Sequence, residues 1–317
     1  NLHLGNYFGA VKSFIQMQEQ YRCFYFIADW HSLTTHPHPA NLKLNVRTIL
    51  AEYLACGVDP DKATIYVQSD ISQIPELYLY LNMNAYIGEL ERVTSFKEKV
   101  RQNPNNVNAG LLTYPTLMAA DIIIHHADKV PVGKDQLPHL EMTRNIAKRF
   151  NKKFCLDAGK ESVFPEPQAL LSKTPMILGL DGSQKMSKSR GNAIMLCATE
   201  DETAKLIKKA KTDGERLITY EPERRPEVAN LLMLISLCTG EEPTSIANRI
   251  GEGGGGQLKA ELTEALNEKL RPLRTERARL EASPDYIRQV LLTGSQKARE
   301  IGIKTLDEVR SVMNMVI

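Results

Sequence analysis

Cysteine is scarce in this chain of 317 residues: five thiols, at positions 23, 56, 155, 197 and 238. An odd, scattered set argues against a disulfide frame. No Cys-x-x-Cys pair occurs, which argues equally against zinc or an iron–sulfur cluster. Free thiols of this kind fit a reducing cytoplasm. Long hydrophobic runs are also missing; none approaches the length needed to cross a bilayer. Excess charge of either sign is absent, with a net charge of +2. Beyond residue 192, 19 Lys/Arg stand against 20 Asp/Glu. Any nucleic-acid surface must therefore be a local patch. There is no internal repeat. The opening "NLHLGNYFGA" has neither an initiator Met nor a signal-peptide pattern, and reads as if entered in mid-element, just before a helix.

What is present is ordinary for a globular protein, 42% apolar and 25% charged, with enough length for about two domains. A helix is expected to follow Asn6 as N-cap. "CFYFIAD" (23–29), "ATIYVQ" (63–68), "KVPVG" (129–133) and "PMILGL" (175–180) read as buried parallel strands. Helical patterns separate them: 39–56 with Gly57 as its stop, 74–87, "YPTLMAADIII" (114–124) with Pro115 in its first turn, and 136–150. Residues 88–110 read as polar loop or helix, broken at "NPNN". Such alternation predicts an α/β fold: a doubly wound parallel, Rossmann-like sheet. After residue 193 strand signals stop and amphipathic helices take over. The division expected is 1–192 and 193–317, with the last helices able to pack back on the first part. "GEGGGG" (251–256) reads as a flexible link.

Two short stretches carry chemistry. In "HLGN" (3–6), His3 and Asn6 add donors to an open helix N-terminus, a place suited to phosphate. The same letters describe an ordinary turn and cap. In "KMSKS" (185–189), Lys185 and Lys188 on a Gly-flanked loop can close over a polyphosphate. Two lysines alone also describe a solvated basic loop. "THPHP" (35–39) and "HH" (125–126) lack metal-site spacing. Arg271, Arg274, Arg277 and Arg279 read either as a basic face for nucleic acid or as an exposed helix paired with Glu276 and Glu281.

Together, the two stretches resemble the paired signatures of class I aminoacyl-tRNA synthetases, in the right order. "TYPTLMAADI" (113–122), "VPVGKDQ" (130–136), "YIGELERVTSFKEK" (86–99) and "HLEMTRNIAKRFN" (139–151) closely resemble the tryptophanyl-tRNA synthetases. The resemblance runs the length of the chain and is strongest over 86–192. It implies ATP-dependent activation of L-tryptophan to the adenylate and transfer to tRNA(Trp), with Mg²⁺ carried by ATP. A homodimer and an anticodon-reading helical half are implied too. His3, Asn6, Lys185 and Lys188 would stabilise the transferring phosphate. ATP contacts map onto Gly5, Asn6, Gly133, Lys134, Asp135, Met176, Lys185, Met186, Ser187, Lys188 and Ser189. Tryptophan contacts map onto Asp121, Met118, Tyr114, Gln136 and His31. Tyr114, Met118 and Asp121 fall on one helix face at i, i+4 and i+7.

The chain departs from the family in three places. Its first strand and Pro-Thr/Ser-Gly turn would stand before residue 1; either a longer polypeptide supplies them or this piece is inactive. Asn6 replaces the commoner second histidine. Arg-Gly-Asn follows Ser189 where many members have Asp-Pro or Asp-Asp. Three rival readings stand beside this one. In a tyrosyl enzyme, a Gln would replace Met118. A small-molecule adenylyltransferase would lack the long helical half. A non-catalytic tRNA-binding paralogue is the third.

Overall fold

The structure, a computed structural model, describes residues 1–35, 38–102, 104–171, 177–182 and 184–315. Helix α1 (Leu4–Asn6) continues through a π-helical turn, Tyr7–Val11, into α2 (Lys12–Met17). The helix begins three residues earlier than expected, with His3 as its N-cap. Asn6 lies inside it, and its side-chain oxygen turns back to accept the His3 N–H at 3.0 Å. Asparagine readily makes such local bonds, so the residue type was informative and the position was not.

Strand β1 (Cys23–Ile27), α3 (Asp29–Ser32), α4 (Leu42–Cys56), β2 (Ala63–Val67) and α5 (Gln73–Asn82) follow. Gly57, at φ +105°, stops α4 as expected. The 88–110 region holds two helices, α6 (Ile87–Arg92) and α7 (Thr94–Gln102). Helix α8 (Ala109–Ile123) begins well before Pro115, because Asn108 caps it by accepting the Leu111 N–H at 3.0 Å. Pro115 therefore sits in the helix interior, where it removes one i→i−4 bond. Next come β3 (Lys129–Val132), α9 (Leu137–Phe150) and β4 (Gln168–Leu171). The remaining named helices are α10 (Glu200–Lys208), α11 (Pro226–Thr239), α12 (Pro243–Ile250), α13 (Gly254–Glu281) and α14 (Pro284–Val312).

The chain folds as two compact units. The first comprises Asn1–Gln20, Arg47–Asp59 and Lys173–Pro284; the second comprises Tyr21–Val46, Pro60–Ser172 and Asp285–Ile317.

All four named strands lie in the second unit and pair in parallel, β1 with β2 and β3 with β4. The parallel α/β character expected of the sequence is what the structure has. The fourth named strand is 168–171, which was not expected; the expected strand at 175–180 falls partly outside the described residues. Residues 175 and 176 lie outside the described residues, and Leu178 makes only an isolated antiparallel bridge to Lys185. The second unit's core gathers Tyr66, Ile74, Leu77, Ile123, Phe150 and Leu306, among others. Within it the Tyr66 hydroxyl and His125 Nε2 share a hydrogen bond of 2.8 Å, and Phe24 stacks on the His125 ring at 4.6 Å. Burial pushes the His125 pKa down to about 4.

The first unit is mainly helical. Thr199 and Glu202 cap α10 reciprocally, each side chain accepting the other's N–H (3.1 and 2.8 Å). Buried leucines 258, 262, 266, 270 and 273 recur every three or four residues along α13, the seam that packs on α11. The expected flexible link at 251–256 is instead ordered: Gly251–Gly253 form a 3-10 turn and Gly254 begins α13. Gly251 and Gly254 adopt positive φ (+49° and +72°), so glycine here serves a tight turn. All five cysteines are free thiols. Among the described residues, no helix is long and apolar enough to cross a membrane.

Candidate active site

In the first unit the His3 turn is held by main-chain bonds from a distant segment. Leu4 N–H donates to the Ile194 carbonyl (3.0 Å), and Leu196 N–H donates to the Leu2 carbonyl (3.0 Å). On the other side, Leu2 N–H donates to Glu52 Oε2 at 2.6 Å. Glu52 is fully buried, and Arg277 Nε lies 3.8 Å from its Oε1. Burial and the nearby Lys185 charge hold the His3 pKa below its ordinary value. The ring is therefore neutral at pH 7, able to donate from one nitrogen without adding a cation. Its Nδ1 is buried with no hydrogen-bond partner among the described residues. Asn6 accepts the His3 N–H with its oxygen, which leaves its NH₂ free to donate to a ligand.

The Lys185–Ser189 segment is the far arm of a tight turn. Met186 N–H donates to the Ile177 carbonyl (3.0 Å), and Gly179 N–H to the Gln184 carbonyl (2.8 Å). Met186 is 2% exposed within the first unit's core, a burial worth about 2 kcal/mol. That anchor fixes the middle of the segment, while Lys185 and Lys188 on either side are exposed. Neither ammonium has a carboxylate partner among the described residues. Asn230 on α11 braces the turn: its Oδ1 accepts from Leu178 N–H (3.1 Å) and its Nδ2 donates to the carbonyls of Leu178 and Gly179 (3.2 Å each). The structure thus brings His3, Gly5, Asn6 and Met186 together, with Lys185 close enough to depress the imidazole. The side chain of Ser189 lies outside what is described.

In the second unit, Tyr114, Met118 and Asp121 share α8. Asp121 is 3% exposed. Both its oxygens accept from Gln68 Nε2 at 2.8 Å, and His31 Nε2 donates to Oδ2 at 2.8 Å. Burial pushes this carboxyl above the ordinary range, and the two donors pull it back. An ionised carboxylate offers about four acceptor positions, so room for a further donor remains. Gln68 is oriented in turn, since its Oε1 accepts the N–H of Trp30 (3.1 Å) and of His31 (3.4 Å). The Tyr114 hydroxyl bonds His139 Nε2 at 2.7 Å, and Lys99 lies over the Tyr114 ring at 4.1 Å. Met118 packs partly buried against the second unit's core.

Gly133, Lys134 and Asp135 follow β3 and are exposed. A β-carbon at Gly133 would come 2.5 Å from Asp135 Oδ1, so glycine lets that carboxylate fold back over the backbone. Gln136 Nε2 donates to Asp135 Oδ2 at 2.9 Å. Met176 lies outside the described residues.

Sequence reasoning missed Gln68, His139, Asn230 and Asn192. Gln68 had a signal: it directly follows β2, and in parallel α/β folds ligand-binding groups collect at the carboxyl ends of strands. His139 and Asn230 face partners 25 and 52 positions away, which no local pattern encodes, and Asn192 acts across a turn whose path the sequence alone does not fix. Of the basic helix face, Arg271 pairs with Glu200 and Glu268, Arg277 with Glu281, and Arg279 with Glu276. Arg274 bonds Asn267 and Thr203. These arginines are engaged within the chain itself. No group of three or more His, Cys, Asp or Glu side chains that could hold a metal occurs among the described residues.

Parallel strands with polar side chains at their ends, and a lysine-bearing turn facing a helix-capping histidine, are the features of a class I tRNA synthetase. A model of that family, described as "tRNA synthetases class I (W and Y)", matches residues 1–271. The tryptophan–tRNA ligase of Porphyromonas gingivalis is 52% identical over 316 residues, covering 99% of this chain and 95% of its own. That of Rickettsia conorii is 40% identical over 322 residues, covering 100% and 96%. The crystal structure of tryptophanyl-tRNA synthetase from Campylobacter jejuni, complexed with ADP and tryptophan, superposes with a TM-score of 0.87 at 32% identity, covering 99% of this chain and 96% of that one. The Mycoplasma pneumoniae enzyme gives 0.84 at 34% identity, covering 98% and 94%. The chain belongs to the tryptophanyl-tRNA synthetases.

Proposed function

We infer that this chain joins L-tryptophan to tRNA(Trp) in two steps driven by ATP. In the first, a tryptophan carboxylate oxygen attacks the α-phosphorus of ATP. The new O–P bond replaces the bond to the β-phosphate, and pyrophosphate leaves. In the second, a 3′-terminal ribose hydroxyl of the tRNA attacks the tryptophanyl carbonyl and AMP leaves. The first nucleophile is already ionised, so activation needs no general base. Positioning and charge stabilisation carry the rate.

His3, Asn6, Lys185 and Lys188 act on the phosphates. The neutral imidazole and the carboxamide NH₂ donate hydrogen bonds, and the two exposed ammonium groups offset charge building on the leaving pyrophosphate. Gly5 and residues 185–189 (Lys185, Met186, Ser187, Lys188, Ser189) line the phosphates mainly through backbone, since the Met186 side chain is core. Gly133, Lys134 and Asp135 take the ribose, and Met176 presents backbone to adenine. Mg²⁺ would enter with the ATP substrate and would supply positive charge against the phosphates.

Asp121 accepts the indole N–H. Met118 walls the indole with a soft thioether, His31 keeps the carboxylate oriented, and Tyr114 and Gln136 hold the substrate amine. The observation that supports this reading most directly is the buried Asp121 carboxylate, already ordered by Gln68 and His31 and still able to accept one donor. A phenol pocket would be served by the Gln that Met118 replaces. The helical region after residue 193 reads the anticodon, and the enzyme works in the cytoplasm as a homodimer. Leu79, Met83, Tyr86 and Ile87 of the second unit are 48%, 80%, 63% and 66% exposed, apolar surface that supports pairing with a second copy. Sedimentation of the full-length protein tests the pairing, and a mass of one chain overturns it.

ATP–pyrophosphate exchange on the full-length chain, run with each of the twenty amino acids, tests the activity. Tryptophan should support exchange far better than any other. Equal support by tyrosine, or none by tryptophan, would remove the assignment.

A further inference from the structure

The structure shows what closes the turn that carries Lys185 and Lys188. Asn192 is 7% exposed. Its Oδ1 accepts the Ser187 N–H at 2.9 Å. Its Nδ2 donates to both oxygens of Asp181, at 3.2 and 3.1 Å. Its main-chain carbonyl accepts the Leu180 N–H at 2.9 Å. Gly179 makes the room: a β-carbon there would come 2.1 Å from Asn192 Nδ2. One carboxamide thus joins the arm before the loop to an amide lying between Lys185 and Lys188.

We propose that Asn192 is the positioning residue of the phosphate loop, setting the placement of Lys185 and Lys188 by accepting from Ser187 while donating to Asp181. The inference rests on the reading of 185–189 as the phosphate-binding loop. It requires a group that donates and accepts at once, which a carboxamide does and a carboxylate does not. An aspartate substituted here would still accept from Ser187, but it would face Asp181 as a second carboxylate about 3 Å away. Two such groups cannot both ionise without cost. As pH falls one of them takes a proton, and the resulting O–H restores the donation. The other charged groups facing this cluster are Lys211, which feels Asp181 and pairs with Glu227 at 2.8 Å, and Glu227 itself, which packs over Gly182. Lys185, Lys188 and Arg190 lie on the loop's own segment.

The test is ATP–pyrophosphate exchange from about pH 5.5 to about pH 8 on the full-length protein and its Asn192→Asp, Asn192→Ala, Gly179→Ala and Lys188→Ala variants. Asn192→Asp should lose about tenfold or more in kcat at the alkaline end, hold its KM for tryptophan within about twofold, and approach the wild type at the acid end. Asn192→Ala should be impaired at every pH. Gly179→Ala, which pushes the carboxamide aside without adding charge, should be impaired likewise with no acid recovery, and it serves if the aspartate variant fails to fold. Wild-type kcat in Asn192→Asp at all pH, or losses in the aspartate and alanine variants that run parallel with pH, overturn the proposal. So does a wild-type Gly179→Ala. Full exchange in Lys188→Ala overturns the phosphate-loop reading and this proposal together. Impaired Lys188→Ala beside unimpaired Asn192→Asp overturns the proposal alone.

Discussion

The imidazole of His3 lies against the backbone of Gly5, so close that a β-carbon there would sit 3.0 Å from ring atoms Cε1 and Nδ1 and 3.4 Å from Met186 Cβ. Glycine serves proximity here, since two side chains, the His3 ring and Met186, border the space a methyl would take. Gly5→Ala should displace the ring by a few tenths of an ångström and lower kcat for exchange by about tenfold, with the KM for tryptophan unchanged. An unaltered kcat would mean that the ring's placement is not used in the reaction.

Lys188 is exposed and has no carboxylate partner among the described residues, so its removal should cost little stability. Lys188→Ala should cut adenylate formation by about a hundredfold or more, while tryptophan binding, followed by calorimetry, stays near its wild-type value. Equal losses in binding and rate would place the lysine in ground-state binding.

Asp121 differs, because it is buried and its neighbours depend on it. Asp121→Asn keeps the shape but replaces one acceptor oxygen with a donor. Losing a charge-assisted bond to the indole N–H should cost about 1.5–3 kcal/mol, a rise of about ten- to a hundredfold in KM for tryptophan. Discrimination against phenylalanine should fall in step, because the unpaired carboxylate that penalises that substrate is gone. Exchange measured with both amino acids gives the ratio, and a ratio equal to the wild type's removes Asp121 from indole recognition.

His125 makes the second unit sensitive to acid. Its folded pKa is about 4, against about 6.5 for an unperturbed histidine. Below the higher value the unfolded chain binds a proton that the folded one refuses, so its contribution is complete above about pH 6.5 and is lost as pH falls toward 4. By about pH 4.5 the loss should reach roughly 2 to 3 kcal/mol. His125→Gln, whose amide oxygen can still accept from Tyr66, should flatten the urea midpoint's fall between about pH 7 and pH 4.5. A slope as steep as the wild type's would assign the acid sensitivity to other groups.

Periodicity located most elements because helices and strands bury one face or both, and burial leaves a local record. The strands at 23–27, 63–67 and 129–132 were legible that way, as was the leucine seam of α13. The start of α8 was misread because Pro115 is a common first-turn residue, and the capping signal at Asn108 lay farther upstream. The run 251–256 was read as flexible because composition alone does not separate a loose glycine linker from a turn that needs positive φ. For the site, the signatures named His3, the lysines and Asp121. Gln68, Asn230 and Asn192 escaped because their work is to orient other residues across 5 to 53 positions of sequence, a relation visible only once the chain has folded.

The strand-like clasp between residues 2–4 and 194–196 also bears on biosynthesis. A polypeptide still emerging from the ribosome carries His3 early but lacks this clasp until Ile194 and Leu196 have cleared the exit tunnel. Interrupted synthesis before that point leaves the Leu4 amide and the Leu2 carbonyl unclasped, and His3 without that anchor. Truncated products of this chain should therefore be unable to consume ATP.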